Sequence, residues 1–270
     1  MIEHLLEPFM CRRFILEQRY REGHMRVVNA LPCRKVLGLH TPDMKDLAKE
    51  LSRNGGSVLL SCGEKHNCGN GAEIISCFEN VLPGSLCYEE TVIWGFLINL
   101  EKCDVERRFA MLSKFVPVMD NWAVCDSFCA NAKWMAKVEK GLLWEFLQQW
   151  FASQREFEVR FALVSSMCHF LCEGWLEKVF EKVDALELDR IESLYKTIKG
   201  KPQVAQEGSV QGKSPYYVRM GVAWLLATAL AKFPEHTRAF VRESHLPTDV
   251  VRLYVRKARE SFRTRTVEAL

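Results

Sequence analysis

Apolar residues recur every three or four positions along almost the whole chain, the spacing of helices that bury one face. The N-terminal stretch LEPFMCRRFILEQRYRE, 6–22, has this spacing, and TPDMKDLAKELSRNGG, 41–56, reads as a complete helix. There Thr41 can cap, Pro42 suits the first turn, Asp43 suits the positive end and Gly55 can stop the helix. The same period predicts helices over 72–82, 88–102, 105–119, 122–140, 141–153, 155–174, 175–186, 188–198, 216–233, 234–244 and 248–262. Two segments interrupt the pattern. GGSVLLSCGEKHNCGNGAE, from Gly55, is rich in glycine and polar residues and reads as a loop or insertion near 55–70, and 199–215 is the most linker-like stretch. No run alternates as a strand does.

Many helices of similar length joined by short breaks suggest stacked helical hairpins. No crisp tetratricopeptide or ankyrin motif is visible, so repeats, if present, are degenerate, as in HEAT-type solenoids. The expected fold is therefore all-α: one HEAT-like solenoid domain over 1–270, with a concave groove for an extended partner.

Composition adjusts this picture only slightly. The 270 residues are 48% hydrophobic, enough for a sizeable core, and a net charge of +3 permits a polyanionic partner without requiring one. Eleven scattered cysteines read as reduced thiols of a cytosolic protein. The N-terminal residues lack a signal-peptide pattern, and no 18-residue uncharged apolar run predicts a membrane span.

Several chemistries find no motif: there is no G-x-x-x-x-G-K-[ST], no H-E-x-x-H and no G-x-S-x-G. Cys62, His66, Cys68 and Cys77 have soft-ligand chemistry, but their spacing fits no common zinc pattern and reads as a loop with reduced thiols. No metal and no cofactor are expected.

The stretch MDNWAVCDSFC, 119–129, is the most suggestive. With 121–137 as one helix, Cys125, Phe128, Ala132 and Met135 make an apolar stripe. Trp122, Asp126, Cys129, Lys133 and Lys137 make the stripe beside it. An aromatic ring, an acid and two cations on one edge suit a site that faces a polyanion; plain packing and an ordinary ion pair are the structural alternative. Arg160, at the edge of the next apolar stripe, can snorkel or reach a carboxylate or phosphate. Trp224 lies in an apolar helix beside the small residues Gly221 and Ala223, where a core role is the ordinary one.

The blocks LGLHTPDMKDLAKEL, YEETVIWG, FVPVMDNWAVCDSFC, EVRFALV and YYVRMGVAWLL before KFPE stand in an order that resembles the bacterial DNA alkylation repair family, the AlkD-like alkylpurine DNA glycosylases built of HEAT-like repeats. The resemblance runs from about Arg21 to about Arg263, and its most specific part is the D-x-W-x-x-x-D of Asp120, Trp122 and Asp126. It implies a catalytic tryptophan at Trp122, a catalytic aspartate at Asp126, a supporting and backbone-contacting arginine at Arg160, and a groove-lining tryptophan at Trp224. Where the family often has a further arginine this chain has Ala227, and the stretch near 55–70 has the place of an insertion.

The activity so implied is hydrolysis of the N-glycosidic bond of cationic N3- or N7-alkylated purines in double-stranded DNA, by a monomer in the bacterial cytosol and nucleoid. Asp126 and Arg160 would share a concave surface bordered by the two tryptophans. Lys133, Lys137, Arg256 and Arg259, with Arg252, Lys257, Arg263 and Arg265, would line a phosphate track. Two alternatives remain open at this point: a DNA-binding member that excises nothing, and a protein-interaction solenoid.

Overall fold

The computed structural model describes residues 1–59, 65–82, 84–198, 201–204 and 215–270. These gather into two compact units, Met1–Val138 and Glu139–Leu270. Both are predominantly helical, as an all-α chain requires, and each also carries one two-stranded hairpin.

The first unit contains α1 (Glu3–Leu6), α2 (Arg12–Leu16), α3 (Gln18–Val28) and α4 (Thr41–Asn54). After them come the strands β1 (Gly56–Leu59) and β2 (Lys65–Cys68), then α5 (Gly71–Phe78), α6 (Tyr88–Leu100), α7 (Val105–Phe115) and α8 (Trp122–Asn131). The central member is α6, buried on every side from Tyr88 to Ile98. Its start is fixed by a capping box, in which the Cys87 thiol accepts from the Glu90 N–H and the Glu90 carboxylate accepts from the Cys87 N–H. Glu89 is also buried, and its carboxylate accepts the backbone N–H groups of Leu37 and Gly38 at 3.0 and 2.8 Å. Burial pushes its pKa up, and those N–H donors oppose the rise. At Gly95 a side chain would press into Phe115 and Phe128, so the bare backbone lets α6 lie against α7 and α8.

The second unit contains α9 (Lys140–Phe151), α10 (Glu156–His169) and α11 (Leu176–Asp184). The hairpin β3 (Tyr195–Ile198) and β4 (Lys201–Val204) precedes α12 (Tyr216–Leu230), α13 (Pro234–Glu243) and α14 (Thr248–Glu260). Here α10 and α12 form the core, both buried along most of their length.

Four sequence expectations need correction. The helical spacing of 6–22 is broken into short pieces: Pro8 lies in a 3-10 turn, Glu7–Phe9, and Cys11 and Glu17 are extended. The cap of α4 is His40, with Thr41 the first helical residue, while Gly55 does end the helix at φ 68°. The helix expected over 188–198 is a 3-10 turn, Leu188–Arg190, followed by β3, where Tyr195 and Thr197 favour extended backbone. The 55–70 loop includes the antiparallel pair β1–β2, with Gly56 opposite Cys68.

Cys62 lies outside the described residues, as do 199–200 and 205–214 of the linker-like segment. The Cys68 and Cys77 sulfurs stand 3.8 Å apart, and burial pushes the Cys68 thiol up to about 12. Among the described residues no helix is long and apolar enough to cross a membrane.

Candidate active site

Trp122 is the first residue of α8, and the chain reaches it through a set of anchors. Arg34, in the loop after α3, is buried and pairs with Asp120 at 2.6 Å. The same guanidinium donates to the carbonyls of Leu86 at 2.8 Å and Val118 at 3.4 Å. Burial raises the Asp120 pKa, and the Arg34 charge works against that rise. The first aspartate of D-x-W-x-x-x-D is thus an anchor, holding the segment that enters the helix.

The next two residues close two helix ends at once. Asn121 caps α8, its Oδ1 accepting from the Ala123 N–H at 2.8 Å. Its Nδ2 donates to the Val28 carbonyl at 2.7 Å, and the Trp122 indole N–H donates to the Val27 carbonyl at 3.2 Å. Val27 and Val28 end α3, where helical carbonyls lack partners in their own helix. The Trp122 ring is therefore fixed by its one donor, which leaves its faces as the means of meeting a ligand.

Asp126 follows one turn later on the same edge. Both residues are half-exposed. Around them Ala123 and Ser127 are half-exposed and Ala130 is exposed, so small side chains flank the carboxylate and leave room for a bulky group. The apolar stripe expected for this helix is present: Cys125, Phe128, Ala132 and Met135 are all buried.

The expected companion stripe is not. Cys129 is buried, and α8 stops at Asn131. The Asn99 amide donates to the Phe128 carbonyl at 3.0 Å, the group that would otherwise accept from Ala132. The Ala132 N–H turns to Cys129 instead, and a 3-10 turn, Lys133–Lys137, follows. Lys133 and Lys137 are exposed, but on a separate turn rather than on the edge of Trp122 and Asp126.

In the second unit Arg160 sits on α10 and is 3% exposed. It donates to the Tyr217 carbonyl on α12 at 2.5 Å, and its guanidinium carbon stands 5.9 Å from the Tyr217 ring centre. One turn earlier on α10 is Glu156, equally buried. Its carboxylate accepts from the Ser193 hydroxyl at 2.5 Å and the Tyr217 N–H at 2.6 Å. Burial pushes Glu156 up to about 7; the Ser193 and Tyr217 donors and the Arg160 charge limit the rise.

Gly221 faces Arg160, and a Cβ there would stand 3.5 Å from a guanidinium nitrogen, in ordinary contact. Trp224 lies on the same α12 face as Tyr217 and Gly221, at i, i+4 and i+7. It is 37% exposed, so it belongs to the surface rather than to the core. Ala227 is buried, so that position presents no group to the face that Trp224 occupies.

Arg256 and Arg259 are exposed on α14. With Arg252 they line a groove of about 550 Å3, and Val251, Val255 and Leu270 form its apolar part. Arg256 also meets Glu260 at 3.6 Å, one turn on.

Sequence reasoning missed Arg34, Asn121 and Glu156. Asn121 was findable, because asparagine before an apolar run is a common cap. The roles of Arg34 and Glu156 depend on partners far along the chain.

The family model described as DNA alkylation repair enzyme matches residues 85–198. No curated protein and no solved structure matches the chain. The matched segment includes Trp122, Asp126, Lys133, Lys137 and Arg160, and it ends before Trp224, Arg256 and Arg259.

Proposed function

We propose that the protein is a monofunctional DNA glycosylase for cationic N3- and N7-alkylated purines, a reading supported by the match of residues 85–198 to the family model described as DNA alkylation repair enzyme. The observation that carries this reading is the pair of Trp122 and Asp126, half-exposed on one edge of α8 and bordered by Ala123, Ser127 and Ala130.

An alkylated purine that already bears a positive charge leaves without a general acid. The bond from C1′ to the ring nitrogen breaks, its electron pair neutralises the base, and positive charge develops on the sugar. Asp126 stabilises that charge and orients the water that adds to C1′. A Trp122 ring face attracts a nearby cation, an effect on the order of 0.5–2 kcal/mol.

The family resemblance gives Arg160, on α10, a supporting role and Trp224, on α12, a contact with the nucleic acid. The burial of Arg160 suits a supporting role better than a grip on an open phosphate. Lys133, Lys137, Arg256 and Arg259 are exposed and supply non-specific attraction to the duplex. The site needs no metal or cofactor for this reaction, and the protein works as a monomer on double-stranded DNA in the cytosol.

The test is incubation with duplex DNA methylated at purine N3 and N7, followed by chromatography of the free bases. Release of methylated purines is expected, with unmodified purines retained. Tight binding without release would favour a DNA-binding protein that excises nothing. Neither binding nor release would leave the protein-interaction reading.

A further inference from the structure

The α2–α3 segment lies before residues 85–198 and contributes nothing to the reading above except two backbone carbonyls. Its charge is concentrated. Residues 12–28 hold five arginines against two glutamates, a net +3 that equals the formal charge of the whole chain. All five cations are arginine, the side chain whose planar fork matches a phosphate. All five are exposed.

Two of them have work within the segment. Arg13 makes paired bonds to Glu17, both 3.0 Å, and stands 4.5 Å over the Tyr20 ring. Arg21 donates to the Ile15 carbonyl at 3.4 Å. Arg19 and Arg26 share one face of α3 at i and i+7, with Gly23 between them at i+4. A side chain at Gly23 would meet nothing, so the helix backbone is open to an incoming group there. The stripe is two arginines separated by bare backbone.

Its position gives it meaning. Arg26 directly precedes Val27, whose carbonyl holds the Trp122 indole, and Val28, whose carbonyl holds Asn121. Val27 beside it is 66% exposed, and Leu16, the last residue of α2, is 68% exposed. Arginines interleaved with exposed apolar side chains are the composition of surfaces that grip a duplex from its minor groove.

We infer that the Arg19–Gly23–Arg26 face of α3 binds the sugar-phosphate backbone of duplex DNA next to the Trp122–Asp126 edge. The inference rests on the glycosylase reading for the identity of the partner. Its own content is that α3, outside the matched family segment, carries part of the phosphate contact. Charge complementarity selects a polyanion, and the direct bonds from α3 to Trp122 and Asn121 select the one bound at that edge.

The test compares the full-length protein with the double variant Arg19→Glu/Arg26→Glu, and with Arg190→Glu as an exposed control in the second unit. The probe is an unmodified duplex, titrated by fluorescence anisotropy at several salt concentrations; thermal unfolding by circular dichroism checks the fold of each variant. The double variant is expected to bind at least tenfold more weakly at low salt. The slope of log affinity against log salt should fall by about 2, one for each lost phosphate contact. The control should match the parent.

An unchanged affinity and slope in a folded double variant overturns the inference and leaves the glycosylase reading standing. Parent-like DNA binding with lost adsorption to anionic phospholipid vesicles overturns it too, in favour of a membrane surface. A parent that binds no duplex overturns both readings together. If the double variant unfolds, Arg19→Gln/Arg26→Gln is measured instead, with a slope loss of the same sign expected.

Discussion

Two helices present an acid and a partner one turn apart, and the two pairs differ in almost everything else. On α8, Trp122 and Asp126 are half-exposed among alanines and a serine. On α10, Glu156 and Arg160 are 3% exposed and knitted to Ser193 and Tyr217. The identical spacing therefore says nothing about role. What separates a candidate reactive carboxylate from a structural one is access. A half-exposed carboxylate can be reached by a ligand, whereas one that is 3% exposed cannot.

Removing the cation of the buried pair should have the largest effect. Arg160→Ala leaves Glu156 without its nearby positive charge and removes the side-chain donor that Arg160 gives the Tyr217 carbonyl, at a cost of about 3–5 kcal/mol. A shift of the urea midpoint, with the slope of the transition unchanged, measures it. An Arg160→Ala protein as stable as the parent would erase the distinction between the pairs.

The pH dependence of stability sharpens it next. The folded Glu156 pKa, about 7, lies above its ordinary 4.5, so the folded state holds this proton more tightly. The stabilisation is fully present below about pH 4.5 and is lost as pH rises through 7, a change on the order of 3 kcal/mol. Urea midpoints should therefore fall between pH 5 and pH 8, and Glu156→Gln should flatten that part of the profile.

Smaller effects belong to the open pair's supports. Asn121→Ala removes the α8 cap and the bond to Val28, a loss of about 1–2 kcal/mol by thermal unfolding. Trp122→Phe keeps a ring face but drops the bond to Val27; Trp122→Ala drops both. Single-turnover base release should slow by up to about tenfold in the first and by more in the second, within the ordinary range of a cation–π contact. Equal rates for the two variants would remove the ring face from the account.

Most helices were legible because the 3.6-residue period survives along the chain, as α4, α11 and α14 show. Short elements were not. The β1–β2 and β3–β4 strands are four residues each, too few for alternation to stand out. The end of α8 was hidden because its cause, the Asn99 amide on the Phe128 carbonyl, comes from a helix earlier in the chain. That one bond moves Lys133 and Lys137 off the edge that a continuous helix would have given them.

At the candidate site the residue types and the family resemblance pointed to Trp122 and Asp126. The anchors Arg34–Asp120 and Trp122–Val27 stayed invisible, because a sequence does not show which distant carbonyls lack donors. The same limit hid Glu156, which reads on a helical wheel as an ordinary first-turn acid.

Whether Asp126 performs the chemistry is decided by single-turnover release of methylated purines from saturating duplex DNA by Asp126→Asn. Release slowed by about 100-fold or more is expected, the range seen when a group that stabilises transition-state charge is lost. Release at the parental rate from a folded, DNA-bound Asp126→Asn protein would contradict that role.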